Sequence, residues 1–371
     1  MIPETLFADR ARAVEVSGVR KVFELARSLK DPVNLSIGQP HFAVPDPIKR
    51  AAHAAIDADY NGYTVTQGIP ELRARLATDL ESRLPGQDRD VVVTSGTSGG
   101  LLLALLAVVN PGDEVITADP YFVAYPNMVA VAGGKLVTVD TYPDFRLDVA
   151  KVEAAITPRT KAIMLSSPSN PTGAVLDAAT QKALAELARA RGILLISDEI
   201  YRAFHYDGPP LSPGTHDPDV LVIEGFGKTY GITGWRLGWA HGPKRIIQEM
   251  AKLQQFTFVC APSVVQWAGV AAMDFDVSEI VVDYKRKRDL LVESLKDVYD
   301  IEVPGGAFYL FPKSPWGTGT EFVTEAIKHN LLVIPGNVFS TQDTHFRVSY
   351  AATDETLHRG IDILRRLAKG K

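Results

Sequence analysis

Residues 161–201 read KAIMLSSPSNPTGAVLDAATQKALAELARARGILLISDEIY. A short apolar run, KAIMLSS (161–167), leads into a turn rich in proline and glycine. The helical stretch AATQKALAELARARG (178–192) follows, and ILLISDE (193–199) is apolar again. Strand, turn, helix and strand in this order make a βαβ unit, which calls for a parallel sheet. Strands of such sheets are buried on both faces, which suits their continuous apolar character.

The alternation extends in both directions. Upstream lie VVVT (91–94), a glycine cluster with the helical LLLALLAVV, EVITA (114–118) and KLVTV (135–139). Downstream lie VLVIEGF (220–226) and WRLGWAHG (235–242), a strand whose direction the pattern leaves open. The expected fold class is α/β, with a mainly parallel seven-stranded sheet sandwiched by helices. Beyond about residue 275 the texture changes. A long amphipathic helix, DVSEIVVDYKRKRDLLVESLKDV, precedes EVPGGAFYLFP, a helix around 319–330, LLVIPG, FRVSYA and a final helix, DETLHRGIDILRRLAK. That is an α+β pattern. The expected division is a large domain over 46–275 and a smaller one from 1–45 and 276–371.

A chain of 371 residues suits two domains. Hydrophobic residues at 46% and charged residues at 22% suit a globular protein with a sizeable core. The net charge of −5 and pI near 5.9 argue against nucleic acid or an anionic membrane as partner, while leaving room for small anionic ligands. Cys260 is the one cysteine, so no internal disulfide forms. The N-terminus MIPETLFADRARAVEV has no apolar core of signal-peptide type. The longest apolar run, Leu101 to Val109, is far below the roughly 20 residues that span a bilayer. The expectation is a cytoplasmic protein.

Chemistry concentrates where the strands end. TSGTSGG (94–100) follows a strand and opens a helix. Unsatisfied N–H groups at such a helix start suit a phosphate, and glycine allows close approach. A tight turn without a ligand is the alternative, because neither GxxxxGK[ST] nor GxGxxG is present. In SPSNPTG (167–173), Asn170 occupies the strand end where open α/β sheets place ligands, or simply forms a turn before proline. In SDEIY (197–201), Asp198 and Glu199 point in different directions. A carboxylate there suits a cationic ligand nitrogen or a helix start. In EGFGKTYGITGWRLG (224–238), Lys228 has apolar or side-chain-free neighbours. Burial disfavours the ammonium form, and a neutral amine attacks aldehydes. A lysine reaching out from a turn is the plainer alternative.

Together these features match one cofactor. Phosphate, hydroxyl, ring nitrogen and aldehyde are the handles of pyridoxal phosphate, and a lysine Schiff base with an Asp on the pyridinium nitrogen is its recognisable pattern. No metal is expected.

The sequence resembles the fold-type I pyridoxal-phosphate aminotransferases of class I/II over nearly the whole chain. The stretches that carry the resemblance are SIGQPHF, YTVTQGIPELR, VTSGTSGG, PGDEVITADPYFVAYPNMV, SNPTG, SDEIY, GFGKTYGITGWRLGW, PGGAFYLF, VIPGNVF and FRVSYA. The resemblance implies that Lys228 is the Schiff-base lysine and moves the proton of the substrate α-carbon. Asp198 would pair with the ring nitrogen, and Tyr201 and Asn170 would bond the 3′-oxygen. Gly96, Thr97, Ser98 and Arg236 would hold the phosphate. Phe122 would cover the ring face, with Tyr121 as the adjacent alternative. Arg347 would clamp the substrate α-carboxylate, aided by Gly38 and Asn170. Tyr63 would reach the phosphate of a neighbouring subunit, which implies a homodimer with shared active sites.

Three positions depart from the family pattern. Gly225 stands where Ser is frequent, Ser166 where Asn is frequent, and His41 where GxPDF carries Asp. The expected activity is transfer of an amino group from an L-amino acid to a 2-oxo acid. A C–S β-lyase begins with the same proton removal, and a cofactor-sensing regulator shares the body, though no helix-turn-helix extension is evident. Tyr125, Phe256, Phe258, Trp267 and Phe339 could line an aromatic substrate pocket or belong to the core.

Overall fold

The computed structural model describes residues 4–14, 18 and 29–370. Much of the N-terminal segment assigned to the smaller domain, residues 15–17 and 19–28, lies outside the described residues.

The strands, in chain order, are β1 (Val33–Asn34), β2 (Asp90–Ser95), β3 (Glu114–Asp119), β4 (Lys135–Asp140), β5 (Thr160–Ser166), β6 (Leu194–Asp198), β7 (Leu221–Gly225), β8 (Leu237–Gly242), β9 (Tyr309–Leu310), β10 (Leu331–Leu332), β11 (Ile334–Pro335) and β12 (Phe346–Ser349). The central sheet is seven-stranded, in the order β2-β8-β7-β6-β5-β3-β4. Within it β8 runs antiparallel to both neighbours, and the other pairings are parallel. The direction that the sequence left open follows from the short link Phe226–Arg236. A parallel return needs a crossover of about a dozen residues or more, usually a full helix, so this link brings β8 back beside β7 instead.

The βαβ unit at 161–201 forms as its pattern implies. The Asp177 side chain accepts the Thr180 N–H at 2.7 Å and caps the helix Ala178–Arg191. That helix buries Leu184, Ala185 and Ala188 against Ile163, Leu165 and Leu195 of β5 and β6. Burial of one such leucine contributes about 1.5–3 kcal/mol, and Leu184→Ala would remove part of it and leave a cavity. Register then aligns the strand ends: Ser166 lies beside Asp198, Asp198 beside Ile223, and Gly225 beside Gly238.

A second core forms from the C-terminal third. Its helices are Ser278–Leu295, Gly319–Lys328 and Asp354–Leu367, and Tyr284, Phe308, Phe322, Phe346 and Tyr350 fill it. Thr318 and Glu321 form a reciprocal capping box at the start of the second of these helices. β11, β12 and β9 form a small antiparallel sheet, and β1 pairs with β10. Arg347 on β12 and the segment following β1 are thereby carried to the C-terminal ends of the central strands. Among the described residues, no helix is long and apolar enough to cross a membrane.

Candidate active site

The helix Gly96–Val108 starts directly at the end of β2, earlier than its apolar run suggests. Its cap residue Ser95 makes no side-chain cap bond, so first-turn N–H groups and the positive end of the helix dipole face the strand ends. Two glycines permit this corner. Gly96 has φ +69°, and a Cβ there would lie 2.7 Å from Arg236 Nη2. A Cβ on Gly238 would lie 2.6 Å from the Gly96 carbonyl carbon, so β8 packs directly against the helix start. Arg236 itself sits at φ +57°, sparsely populated for a non-glycine residue, with Nη1 bonded to the Thr233 carbonyl at 2.9 Å. Helix start and guanidinium together form an anion-accepting corner.

Asp198 is buried at the end of β6. Its Oδ2 accepts the Tyr125 hydroxyl at 3.0 Å and its Oδ1 accepts the Ile200 N–H at 3.2 Å. Burial pushes its carboxyl up to about 6, against the pull of those two donors and of Lys228. Lys228 follows β7 in the one-turn helix Phe226–Thr229 and donates to the Gly38 carbonyl. Burial, reinforced by Arg347 and Arg236, lowers its amine to about 8, and Asp198 opposes the shift. The Tyr201 hydroxyl bonds that of Tyr309 at 2.8 Å.

Arg347 is buried beside them. Its Nη1 donates to Asn170 Oδ1 and its Nη2 to the Ser36 carbonyl, both at 2.8 Å. The guanidinium lies between the rings of Tyr309 and Phe339, 4.5 and 4.6 Å from their centroids. Nε has no partner, and among the described residues no carboxylate pairs with this cation. A buried cation without an anion is costly, so this one is set to receive an anion.

One cavity of about 400 Å³ collects these groups. Gly38, Gly96, Thr97, Ser98, Phe122, Asn170, Asp198, Tyr201, Lys228, Arg236 and Arg347 all line it. Tyr63 does not, and is 88% exposed on the outer surface. Phe122 rather than Tyr121 reaches the cavity, and Ser166 lines it too. The aromatic candidates lie elsewhere. Phe256 is 86% exposed, Trp267 stacks on Tyr60 at 4.5 Å, and Tyr125 and Phe339 buttress Asp198 and Arg347 from behind. Gly225 has a local cause: a Cβ there would lie 2.8 Å from Thr97 Cγ2 and 2.9 Å from Ile200 Cδ1. Those two side chains take the space a serine would need. Sequence reasoning missed Tyr309, which touches both Arg347 and Tyr201. The AFYLF stretch contained it, but nothing in its pattern says which ring turns inward.

The donor set fits a phosphorylated pyridine aldehyde. An anion-accepting corner, a buried carboxylate, an amine of lowered pKa and a second, unpaired cation face a single space of suitable size.

The sequence pattern of the family Aminotransferase class I and II matches residues 30–364. The chain is 38% identical to the aspartate/prephenate aminotransferase of Thermus thermophilus, over 94% of each chain. It is 34% identical to the aromatic-amino-acid aminotransferase 2 of Thermococcus litoralis, over 98% of each. The solved structure of the aspartate aminotransferase of Thermus thermophilus with maleate superimposes with a TM-score of 0.91 at 35% identity, covering 97% of this chain and 99% of that one. Matched over nearly its whole length, the chain belongs to the class I and II aminotransferases, enzymes that use pyridoxal phosphate to move amino groups between amino acids and 2-oxo acids.

Proposed function

We propose that the strand-end cavity performs this transfer with the following division of labour. The bound cofactor supplies a carbonyl carbon for an amine to attach to and a protonated ring that draws electrons from the substrate α-carbon. Gly96, Thr97, Ser98 and Arg236 hold its phosphate. Asp198, kept in place by Tyr125 and the Ile200 N–H, holds a proton on the ring nitrogen. Asn170 and Tyr201 bond the ring oxygen, and Phe122 covers the ring face. Lys228 acts first as nucleophile and then as the base that takes the proton from the substrate α-carbon. Both tasks require a neutral amine, which its lowered pKa favours. Arg347, with Gly38 and Asn170, receives the substrate α-carboxylate and orients the α-proton toward Lys228.

The observation that carries this reading is Arg347: a buried, unpaired guanidinium in the same cavity as the amine of lowered pKa. Its test is turnover of a panel of amino donors with 2-oxoglutarate and pyruvate. Lys228→Ala is expected to lose about 10²–10⁴-fold or more in rate, the contribution of a positioned proton-transfer group. Turnover by this variant at the wild-type rate would overturn the assignment.

Residues 46–275 are read as the cofactor-holding domain and 1–45 with 276–371 as the smaller one, whose core also takes in Tyr201, Phe204 and Tyr206 of the larger. A homodimer is part of the same reading. Tyr63, Val65 and Phe256 are exposed, and the Gln254–Thr66 and Ser263–Tyr60 hydrogen bonds hold their segments next to each other. Tyr63 would reach the partner's phosphate from there. A sedimentation measurement giving a monomer would sink this part. A single cysteine accords with a cytoplasmic location.

A further inference from the structure

His41 departs from the family pattern, and its surroundings give it a task. The segment that follows β1 passes along the cavity as a strap. Upstream it is fixed by the Ser349 N–H on the Leu35 carbonyl at 2.7 Å and by Arg347 on the Ser36 carbonyl. Gly38 and Gln39 then line the cavity. Downstream, His41 fastens the strap to the helix Ser278–Leu295. Its N–H and Nδ1 lie 3.2 and 3.0 Å from the Tyr284 hydroxyl, and its Nε2 lies 2.6 Å from Lys287 Nζ.

The protonation state of His41 follows from its partners. Lys287 is an ammonium with three protons and no acceptor. It donates to the Ala352 carbonyl at 2.9 Å, contacts Asp283 Oδ2 at 3.0 Å and faces His41 Nε2. Nε2 must therefore be the acceptor, and the ring proton sits on Nδ1, facing Tyr284. A second proton on the imidazole would set N–H against N–H and cation against cation. Lys287 cannot retreat easily, being 2% exposed and held by Ala352 and Asp283. The other charges nearby are Asp283 and Asp354, and both are engaged by Arg286. Burial and Lys287 lower the His41 pKa below its ordinary 6.5, and the two carboxylates oppose this only in part.

We propose that His41 is a positioning residue for the substrate strap, and that only its neutral form seats residues 37–41 for full amino-acid affinity. This rests on reading Gly38 as facing the substrate carboxylate. Protonation unseats the strap, so the His41 titration raises KM, whereas the effect of acid on kcat belongs to Lys228 and is common to variants at position 41.

The experiment measures KM and kcat for an amino donor from pH 8 down to about one unit below the His41 midpoint, which a nitrogen-15 titration supplies. It compares wild type with His41→Gln, whose amide oxygen accepts from Lys287 at every pH. Wild-type KM is expected to rise by about tenfold per pH unit below the His41 midpoint, as for a single proton. In His41→Gln that rise disappears, whatever its KM at pH 8, and groups common to both proteins cancel. The same acid rise in both proteins, or an acid loss that His41→Gln removes from kcat rather than from KM, would overturn the proposal. A second measurement needs no catalysis. Nitrogen-15 NMR of labelled histidine, with the His41 signal among the eight identified by its loss in His41→Gln, should show Nε2 unprotonated at neutral pH and a midpoint below 6.5. An Nε2–H signal at neutral pH would overturn the latch itself. The expected tautomer with a flat KM would instead overturn the link from strap to substrate, through the reading of Gly38.

Discussion

Two groups of charges lie close to β7, one around Glu224 within the strand and one in the cavity beyond its C-terminal end, and they are built on opposite rules. The Glu224 carboxylate is partnered on the protein itself, although its neighbour Glu199, pushed up to about 7 by burial and by Glu224, keeps Oε2 without a hydrogen-bond partner. Arg83 Nη2 and His241 Nε2 lie 2.9 and 3.2 Å from Glu224 Oε1, and Arg89 Nε donates to His241 Nδ1 at 2.9 Å. With Nδ1 accepting, His241 is neutral and gives its one ring proton to Glu224, and burial lowers its pKa to about 4. Burial pushes Glu224 up, but Arg83 and His241 outweigh it and hold this carboxyl below the usual range. In the strand-end cavity, by contrast, Lys228, Arg236 and Arg347 face the Asp198 carboxylate, which burial itself pushes up to about 6. In the first cluster Glu224 is balanced by Arg83 and His241 and serves the fold. The second carries surplus positive charge that a phosphate and a carboxylate would complete, and stability is given up to keep it open.

Removing one charge from each group should therefore have opposite effects. Glu224→Ala leaves Arg83 with Asp79 alone, at 2.7 Å, and takes the acceptor from His241 Nε2, so it should cost about 1–3 kcal/mol of stability in a urea titration. A loss below roughly 1 kcal/mol would mean that the network is solvated like a surface pair. Arg347→Leu should leave the cofactor-free protein as stable as wild type or more so, while kcat/KM falls about 10²–10³-fold, the scale of losing a buried charge partner. A matching drop in stability would mean that Arg347 is structural.

Lys228 sharpens the contrast through pH. Its folded pKa of about 8 lies below the unfolded 10.5. The folded protein thus binds fewer protons between those values, and stability should rise with pH there. Below pH 8 the part-buried ammonium costs up to about 3 kcal/mol at ~1.4 kcal/mol per pH unit. Cofactor-free Lys228→Met should accordingly be more stable than wild type at neutral pH, by up to about 3 kcal/mol, and the gap should close as pH approaches the unfolded pKa. A gap independent of pH would show that the amine is not desolvated. The smallest effect is expected at the boundary between the two groups. Gly225→Ala should cost about 1 kcal/mol by crowding Thr97 and Ile200, and Ile200→Val should restore part of it. An unchanged melting temperature in Gly225→Ala would show that the crowding is relieved without cost.

Much of this was legible in the chain, for specific reasons. Continuous apolar runs punctuated by glycine and proline marked the seven strands, because such runs bury on both faces of a parallel sheet. Asp198 ends a strand, and Gly96, Asn170 and Lys228 lie within four residues of one, so finding the strands placed them at one edge. Arg347 needed the resemblance, because FRVSYA lies in the other core and no local pattern ties it to the sheet. The aromatic residues were not legible. Phe256 and Phe339 are equally apolar, yet one is exposed and the other supports a guanidinium. The direction of β8 was open for a related reason, since alternation within a strand does not say which way its neighbour runs.

What the sequence determined by itself is the order of elements and the chemical kinds of group at the strand ends, because both depend on neighbours along the chain. Only the tertiary structure decided which charges are balanced. Whether Glu224 meets Arg83, whether Arg347 meets any anion and which proton His41 keeps all depend on residues far away in sequence. The pKa of each is set by burial and by those distant partners, neither of which local residue order specifies.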